Sequence, residues 1–187
     1  MIQETIVTTQ NSLGITHIAP MGIHVNGDEL IILPFKPSTT LDNILTSKTA
    51  VINYCDDVRI FAGCLTGRRD WPLSPAIKIS GQMIDGALAH TEVELVQMDD
   101  DPIRPKLFCQ AVHSVNHLPF RGFNRAQYSV LEAAILLSRM DRLPLEKIES
   151  EIAYLRIGLE KTAGDRELEA WAWIMAVIET YKQGFNQ

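Results

Sequence analysis

Apolar residues in the first two thirds of the chain occur in short runs that are rich in Val, Ile and Thr. Gly, Pro, Asn and Asp separate these runs, which is typical of strands joined by turns. The predicted strands are Glu4–Thr9, Thr16–Ala19, Glu29–Phe35, Thr49–Tyr54, Ile60–Leu65, Ala76–Ile79, Ala87–Gln97 and Lys106–Val115. Turns are predicted at Asn11–Gly14 and Asn26–Asp28, where Gly tolerates a positive φ. Regular strands of this kind predict an all-β barrel or sandwich.

From Asn124 onward the apolar residues follow the period of a helix, which predicts three helices. Asn124 can cap the first helix, which ends near Asp141, and Pro144 stands at the first position of the second. Asp165 can cap the third helix after Gly164. A short helix is also predicted within residues 34–45. The chain is therefore expected to divide into a β domain, residues 1–120, and a helical subdomain, residues 121–187.

Composition narrows the function classes. The chain has 187 residues, of which 46% are hydrophobic, and its formal net charge is −6. A mildly acidic chain is a poor general ligand for nucleic acid. No apolar run approaches the roughly 20 residues that cross a bilayer, and no signal peptide is evident, so we expect a cytoplasmic protein without membrane contact. Three cysteines, an odd number, indicate reduced thiols.

The junction between a predicted strand and helix at Lys36–Asn43 holds the most informative polar residues. Ser38, Thr39 and Thr40 supply three hydroxyl groups where a helix begins, and Lys36 supplies a cation just before them. Unpaired N–H groups at a helix N-terminus attract phosphate. Ordinary helix capping is the alternative, because Thr39 and Asp42 also resemble a capping box.

Three further positions carry candidate ligand contacts. Asn53 ends an apolar strand, where its amide suits either a planar ligand or a turn. Arg121 and Arg125 stand on either side of Phe123 and Asn124, and arginine binds phosphate in a bidentate manner. Surface solvation is the alternative for both arginines. Because no acidic residue follows Arg125 within one helical turn, we expect Arg125 to contact an anionic group.

The histidines do not predict a metal site. His113 and His117 are four residues apart, but the segment between them has the pattern of an extended strand. Glycine-rich dinucleotide loops, Walker-type loops and nucleophile elbows do not occur in the sequence. No catalytic residue can be assigned from these patterns.

Several strings together resemble a known family. Glu4–Thr9, Ile18–Gly22, Phe35–Asn43 and Val51–Asn53 are similar to the first half of a flavin reductase-like split barrel. Within that superfamily the chain resembles the domain of unknown function 447 family. Phe123–Ala126, followed by Val130–Ala133, resembles the start of the helical part of that family. The resemblance implies a mainly β fold with α: a split β-barrel followed by a three-helix C-terminal subdomain.

The resemblance also implies a cofactor. It implies that FMN is bound by a homodimer, with the flavin between subunits. Pro20, Met21 and Gly22 would then contact the flavin ring. The phosphate would be bound in the segment Lys36–Asn43. Asn53 would support the pocket, and Arg121, Asn124 and Arg125 would complete it. The residues implied at the cofactor are Pro20, Met21, Gly22, Lys36, Ser38, Thr39, Thr40, Asn43, Asn53, Arg121, Asn124 and Arg125.

Two functions follow as hypotheses. In the first, the protein is an FMN-dependent oxidoreductase that acts on an unidentified small molecule, with a link to pterin-dependent one-carbon metabolism implied by the family resemblance. In the second, it is a flavin-binding carrier or sensor without turnover, which acts through a protein partner. No dedicated general base is evident in the sequence to separate these two hypotheses.

Overall fold

The computed structural model describes residues 1–27 and 29–185, apart from the side chain of residue 185. Eight strands occur in the order β1 Ile2–Gln10, β2 Thr16–Asn26, β3 Glu29–Ile32, β4 Thr49–Tyr54, β5 Leu73–Pro75, β6 Gln82–Ile84, β7 Ala89–Asp99 and β8 Lys106–Asn116. The α-helices are α1 Thr39–Ser47, α2 Val58–Leu65, α3 Arg125–Leu137, α4 Leu145–Thr162 and α5 Asp165–Phe185.

Six strands form a closed antiparallel barrel in the order β1-β2-β3-β8-β7-β4. The central strand β1 pairs with β2 and β4, so that Ile6 lies opposite both Pro20 and Asn53. Alternate strand residues point inward and form an apolar core that includes Val7, Ile23 and Ile52. The fold is therefore mainly β with α, and the prediction of a split barrel with additional helices is confirmed.

The predicted strand Ile60–Leu65 is wrong, because this segment forms α2. A short apolar run fits a buried strand and a buried helix equally well. The difference lies just before the run, where the Asp57 carboxylate accepts a hydrogen bond from the Arg59 backbone N–H at 3.1 Å. This N-cap starts the helix, which buries Val58, Phe61 and Ala62.

The predicted strand at Ala76–Ile79 is also wrong. The segment bends, and the backbone N–H groups of Ile77, Lys78 and Ile79 donate to a side-chain carboxylate rather than to a strand neighbour. The two three-residue strands β5 and β6 flank this bend and were not predicted. The predicted strand Glu29–Phe35 ends at Ile32, shortly before Pro34, which has no N–H to donate.

The two predicted hairpin turns connect β1 to β2 and β2 to β3. Gly14 has a φ of 76° and Gly27 a φ of 63°, which glycine adopts without strain. The second turn, predicted at Asn26–Asp28, includes Asp28, which lies outside the described residues.

The three C-terminal helices are confirmed. Asn124 caps α3, and α4 begins directly after Pro144. The buried stripe of α4 consists of Ile148, Ile152, Leu155 and Leu159, which matches the spacing seen in the sequence. A single turn of 3-10 helix, Met140–Arg142, lies between α3 and α4.

Contacts between residues divide the chain into two compact units. One consists of Met1–Cys55 with Asp70–Phe120, and the other of Asp56–Arg69 with the chain from Arg121 onward. The helical unit thus includes α2, which comes from the middle of the sequence.

Candidate functional site

The N-terminus of α1 lies in the barrel unit and presents the hydroxyl groups that the sequence singled out. Ser38 is the N-cap residue, and its Oγ accepts a hydrogen bond from the Leu41 N–H at 3.3 Å. Thr40 is buried, whereas Thr39 is exposed at the first position of the helix. The first turn therefore combines helix N–H groups with one exposed hydroxyl, a donor set suited to an anion.

Two charged residues near the start of this helix, Lys36 and Asp42, have opposite effects on the binding of an anion. The Lys36 ammonium contacts the Asp100 carboxylate at 2.7 Å, and both side chains are exposed. An exposed ion pair contributes about 0–1 kcal/mol, so a phosphate can compete for this lysine. Asp42 is exposed in the first turn of α1, where its negative charge already interacts with the helix N-terminus.

Asn43 and Asn53 are buried and make contacts inside the barrel unit. Asn43 Nδ2 donates to Thr9 Oγ1 at 3.0 Å, which fixes α1 to β1. Asn53 Nδ2 donates to the Ile6 carbonyl at 3.0 Å, and Asn53 Oδ1 accepts from the Ile84 N–H at 2.8 Å. Asn53 therefore joins β4 to β1 and β6, and its amide is used within the barrel unit.

The segment Pro20–Gly22 lies on the part of β2 that has one strand neighbour. Among the described residues β1 pairs along β2 from Thr16 to His24, whereas β3 pairs with β2 only from Ile23 onward. One edge of Thr16–Gly22 is thus left without a strand partner, which explains why Pro20 is tolerated there. A backbone edge of this kind offers N–H and C=O groups to a flat ligand.

Arg121, Asn124 and Arg125 belong to the helical unit. Asn124 Oδ1 accepts from the Ala126 N–H at 2.7 Å, and Asn124 Nδ2 donates to the Thr162 carbonyl at 3.0 Å. Its amide is thus used within the helices. Arg121 and Arg125 are exposed. The Arg125 guanidinium makes no ion pair among the residues that the structure describes, which leaves the expectation of an external anion untested.

The two buried cysteines, Cys64 and Cys109, do not provide a nucleophile. Burial raises the pKa of Cys64 to about 11, and it raises the pKa of Cys109 to about 12. Both thiols therefore stay protonated near neutral pH, and a protonated thiol is a weak nucleophile. Across residues 1–27 and 29–185, no group of three or more His, Cys, Asp or Glu side chains is arranged to hold a metal ion.

The sequence analysis missed a buried polar cluster on β7. His90 and Glu92 are two residues apart in a strand, so their side chains lie on the same face, and both are fully buried. A histidine and a glutamate two positions apart, and so on one face of a predicted strand, are the signal that could have identified this cluster. Neither residue belongs to the set implied by the family resemblance.

The fold, a closed six-stranded barrel with an added helical part, is similar to the folds of flavin reductase-like proteins. Family models for the N-terminal domain and for a second domain of "protein of unknown function (DUF447)" match residues 3–117 and 124–176, respectively. The chain belongs to the DUF447 family.

Solved structures show the same fold. The FMN-bound DUF447 protein MM1853 from Methanosarcina mazei superimposes with a TM-score of 0.79 at 21% identity, over 94% of each chain. The 2-nitrobenzoate 2-nitroreductase NbaA from Pseudomonas fluorescens gives a TM-score of 0.54 at 22% identity, over 61% of this chain and 64% of the other. A flavin reductase-like protein from Haemophilus somnus gives 0.53 at 13% identity, over 61% and 80%.

None of the helices among the described residues has the length and apolar character needed to cross a membrane.

Proposed function

We propose that this protein binds FMN in the barrel unit and uses it as an oxidoreductase acting on a small molecule. The observation that carries the proposal is the start of α1, where helix N–H groups, the exposed Thr39 hydroxyl and the nearby Lys36 form a phosphate-binding donor set. The structural likeness to the FMN-bound protein MM1853 supports the choice of FMN.

In this proposal the phosphate binds at the first turn of α1. Because no helical turn precedes Thr39 and Thr40, their backbone N–H groups have no helical carbonyl oxygen to donate to, so they are available to an anion. Lys36 would exchange its exposed partner Asp100 for the phosphate. Asn43 contributes indirectly, because its bond to Thr9 holds α1 in place.

The flavin ring would bind along the unpaired edge of β2 at Pro20–Gly22. Gly22 leaves this edge without a side chain that would obstruct the ring. Packing also favours glycine here, since an added Cβ would lie 2.9 Å from Ile2 Cγ2 on β1. Asn53 positions the neighbouring strands. When bound, FMN supplies the capacity for hydride and electron transfer, while the protein residues bind and orient it.

We also propose that the protein is a homodimer. The barrel unit exposes several large apolar side chains on β7 and β8 and in the loop between them, namely Val96, Met98, Ile103 and Val112. Apolar side chains gathered on connected strands suit an interface, and two-fold symmetry is the commonest arrangement for two copies of one chain.

The absorption spectrum of the freshly purified protein tests the cofactor assignment. We expect the near-ultraviolet and visible bands of oxidised flavin, and mass spectrometry of the released cofactor should identify FMN. A colourless protein that also fails to take up added FMN would overturn the proposal.

Anaerobic mixing with NADH or NADPH then tests the oxidoreductase assignment. Bleaching of the visible flavin band, followed by reoxidation with an added small acceptor, supports an enzyme. Pterin-type one-carbon carriers are among the acceptors to test. A flavin that neither donor reduces would instead favour a carrier or sensor.

A further inference from the structure

A chain of hydrogen bonds in the barrel unit connects a buried carboxylate to an exposed histidine. Glu92 Oε1 lies 3.2 Å from His90 Nε2, and His90 Nδ1 lies 2.8 Å from His117 Nε2. Glu92 and His90 on β7 are fully buried, whereas His117, directly after β8, is exposed. The rings of His90 and His117 are nearly parallel, with centroids 5.0 Å apart. None of the residues proposed to bind FMN takes part in this chain.

Glu92 is held as an ionised carboxylate. Its two oxygens accept hydrogen bonds from the backbone N–H groups of Ile77 at 2.6 Å, Lys78 at 2.7 Å and Ile79 at 2.9 Å. Burial acts to raise the pKa of Glu92, but these N–H donors, together with His90, outweigh it and leave the pKa below its usual value. The bend at residues 76–79 therefore surrounds this carboxylate with N–H donors.

An ionised carboxylate only accepts hydrogen bonds, and when His90 is neutral this fixes the tautomers of both histidines. His90 must carry its proton on Nε2 in order to donate to Glu92. In neutral His90, Nδ1 is then an acceptor, so His117 must carry its own proton on Nε2. Neutral His117 is thereby left with an unprotonated Nδ1, which is the proton-accepting atom at the exposed end of the chain.

His117 also lines an open pocket of about 490 Å³. The pocket lies between the start of β7 and the end of β8 and is mostly apolar, with one further polar side chain. Its other main lining residues are Leu88, Asn116, Leu118, Pro119 and Phe120. Apolar walls with a few convergent polar groups are typical of a small-molecule site.

We propose that this pocket binds a small, largely apolar molecule with an acidic O–H or N–H group, such as a phenol, an enol or an imide, and that His117 exchanges the proton with it. In the forward direction the ligand O–H or N–H bond breaks, its electron pair stays on that oxygen or nitrogen, and the proton bonds to His117 Nδ1. The products are the ligand anion and the His117 imidazolium. The reverse transfer returns the proton.

His90 is a positioning residue in this arrangement. Its Nδ1 accepts from His117 and holds the imidazole of His117 in one tautomer, while Glu92 accepts from His90 Nε2 and so fixes the tautomer of His90. His113 on β8 also faces His90, with ring centroids 6.2 Å apart. Its Nε2 is buried and makes no hydrogen bond within the described residues, so His113 does not compete for either nitrogen of His90.

Nitrogen NMR of the histidine side chains tests the tautomer in the protein as purified. We expect neutral His117 to carry its proton on Nε2, whereas His24 on β2, for which no such chain exists, should show a mixture of tautomers. An amide donates and accepts equally well, so His90→Gln should release His117 into a mixture. A mixture at His117 in the unaltered protein would overturn the proposal, whether or not the variant folds.

Titration with 4-nitrophenol tests the ligand site, because the visible absorption distinguishes phenol from phenolate. With the absorption of the protein subtracted, we expect binding to increase the phenolate band. His117→Gln is expected to abolish this increase and to weaken binding by about tenfold, since a charge-assisted hydrogen bond is lost.

His24→Gln is the matched control for that titration and should leave both values unchanged. An absence of 4-nitrophenol binding, or equal phenolate signals with and without His117, would overturn the proposed site. Neither outcome depends on FMN, so this proposal and the assignment of the cofactor fail separately.

Discussion

Three neighbouring hydroxyl groups at the start of α1 have different surroundings, although the sequence presents them as equivalents. Ser38 Oγ already accepts from the Leu41 N–H, and Thr40 is buried. Thr39 is exposed at the first helical position. Among these side chains, Thr39 is therefore the one best placed to donate to a phosphate from solvent.

We expect Thr39→Ala to weaken FMN binding by about tenfold, because a hydrogen bond to a charged group contributes about 1.5–3 kcal/mol. The helix itself should be little affected, since the cap at Ser38 remains. Fluorescence titration of flavin-free protein with FMN measures the change.

Thr46→Ala is the control in the same helix. Thr46 lies exposed in the last turn of the helix, and its hydroxyl donates to the Asp42 carbonyl at 2.8 Å. Thr46→Ala should keep the FMN affinity of the unaltered protein. If both variants bind FMN equally well, the hydroxyl of Thr39 has no part in phosphate binding.

Residue-scale prediction from the sequence succeeded where the signal is local. The cap at Asn124 and the hydroxyl-rich start of α1 could be predicted because capping depends on adjacent residues. The partners of Asn53, and the pairing of Lys36 with Asp100, could not. Those contacts join residues far apart in the sequence, so only the barrel closure brings them together.

At the scale of elements, β1, β7, β8 and all three C-terminal helices followed from periodicity. Of β2, Thr16–Asn26, only Thr16–Ala19 was predicted, and the segments given the wrong type of element are short. Residues 60–65 form a helix because Asp57 caps them. Residues 77–79 bend because Glu92, thirteen or more positions away, accepts hydrogen bonds from their N–H groups. A run of four to six residues contains too little periodic information to resolve such cases.

Close packing of α3 against α4 gives a second prediction. A Cβ added at Gly158 on α4 would lie 2.6 Å from Ser129 Oγ and 3.3 Å from the Arg125 carbonyl oxygen. Alanine favours a helix over glycine by about 1 kcal/mol, but overpacking a buried contact costs about 1–3 kcal/mol. We therefore expect Gly158→Ala to lower the free energy of unfolding, as measured by denaturant titration.

The control uses the contact itself. Ser129→Ala removes the hydroxyl that the new methyl group would meet, so adding Gly158→Ala to that variant should cost less than it does in the unaltered protein. Equal costs in the two backgrounds would show that the contact between Gly158 and Ser129 does not limit helix packing.

For the whole molecule, we predict a homodimer with an interface on the barrel unit. Sedimentation equilibrium at micromolar concentration should give twice the chain mass of 21.0 kDa. Val112→Glu on β8 should shift the equilibrium towards the single chain, because it places a charge among exposed apolar side chains. A mass near 21.0 kDa for the unaltered protein would exclude a cofactor site shared between two copies.

Comparison of FMN with riboflavin on flavin-free protein separates the phosphate contribution from that of the ring. Both ligands carry the same isoalloxazine, so a site built at the N-terminus of α1 should favour FMN through the phosphate alone. Calorimetric titration is expected to give an affinity for FMN that is at least about tenfold higher, the effect of one or more charge-assisted hydrogen bonds. Equal affinities for FMN and riboflavin would contradict the phosphate site on which the proposed function depends.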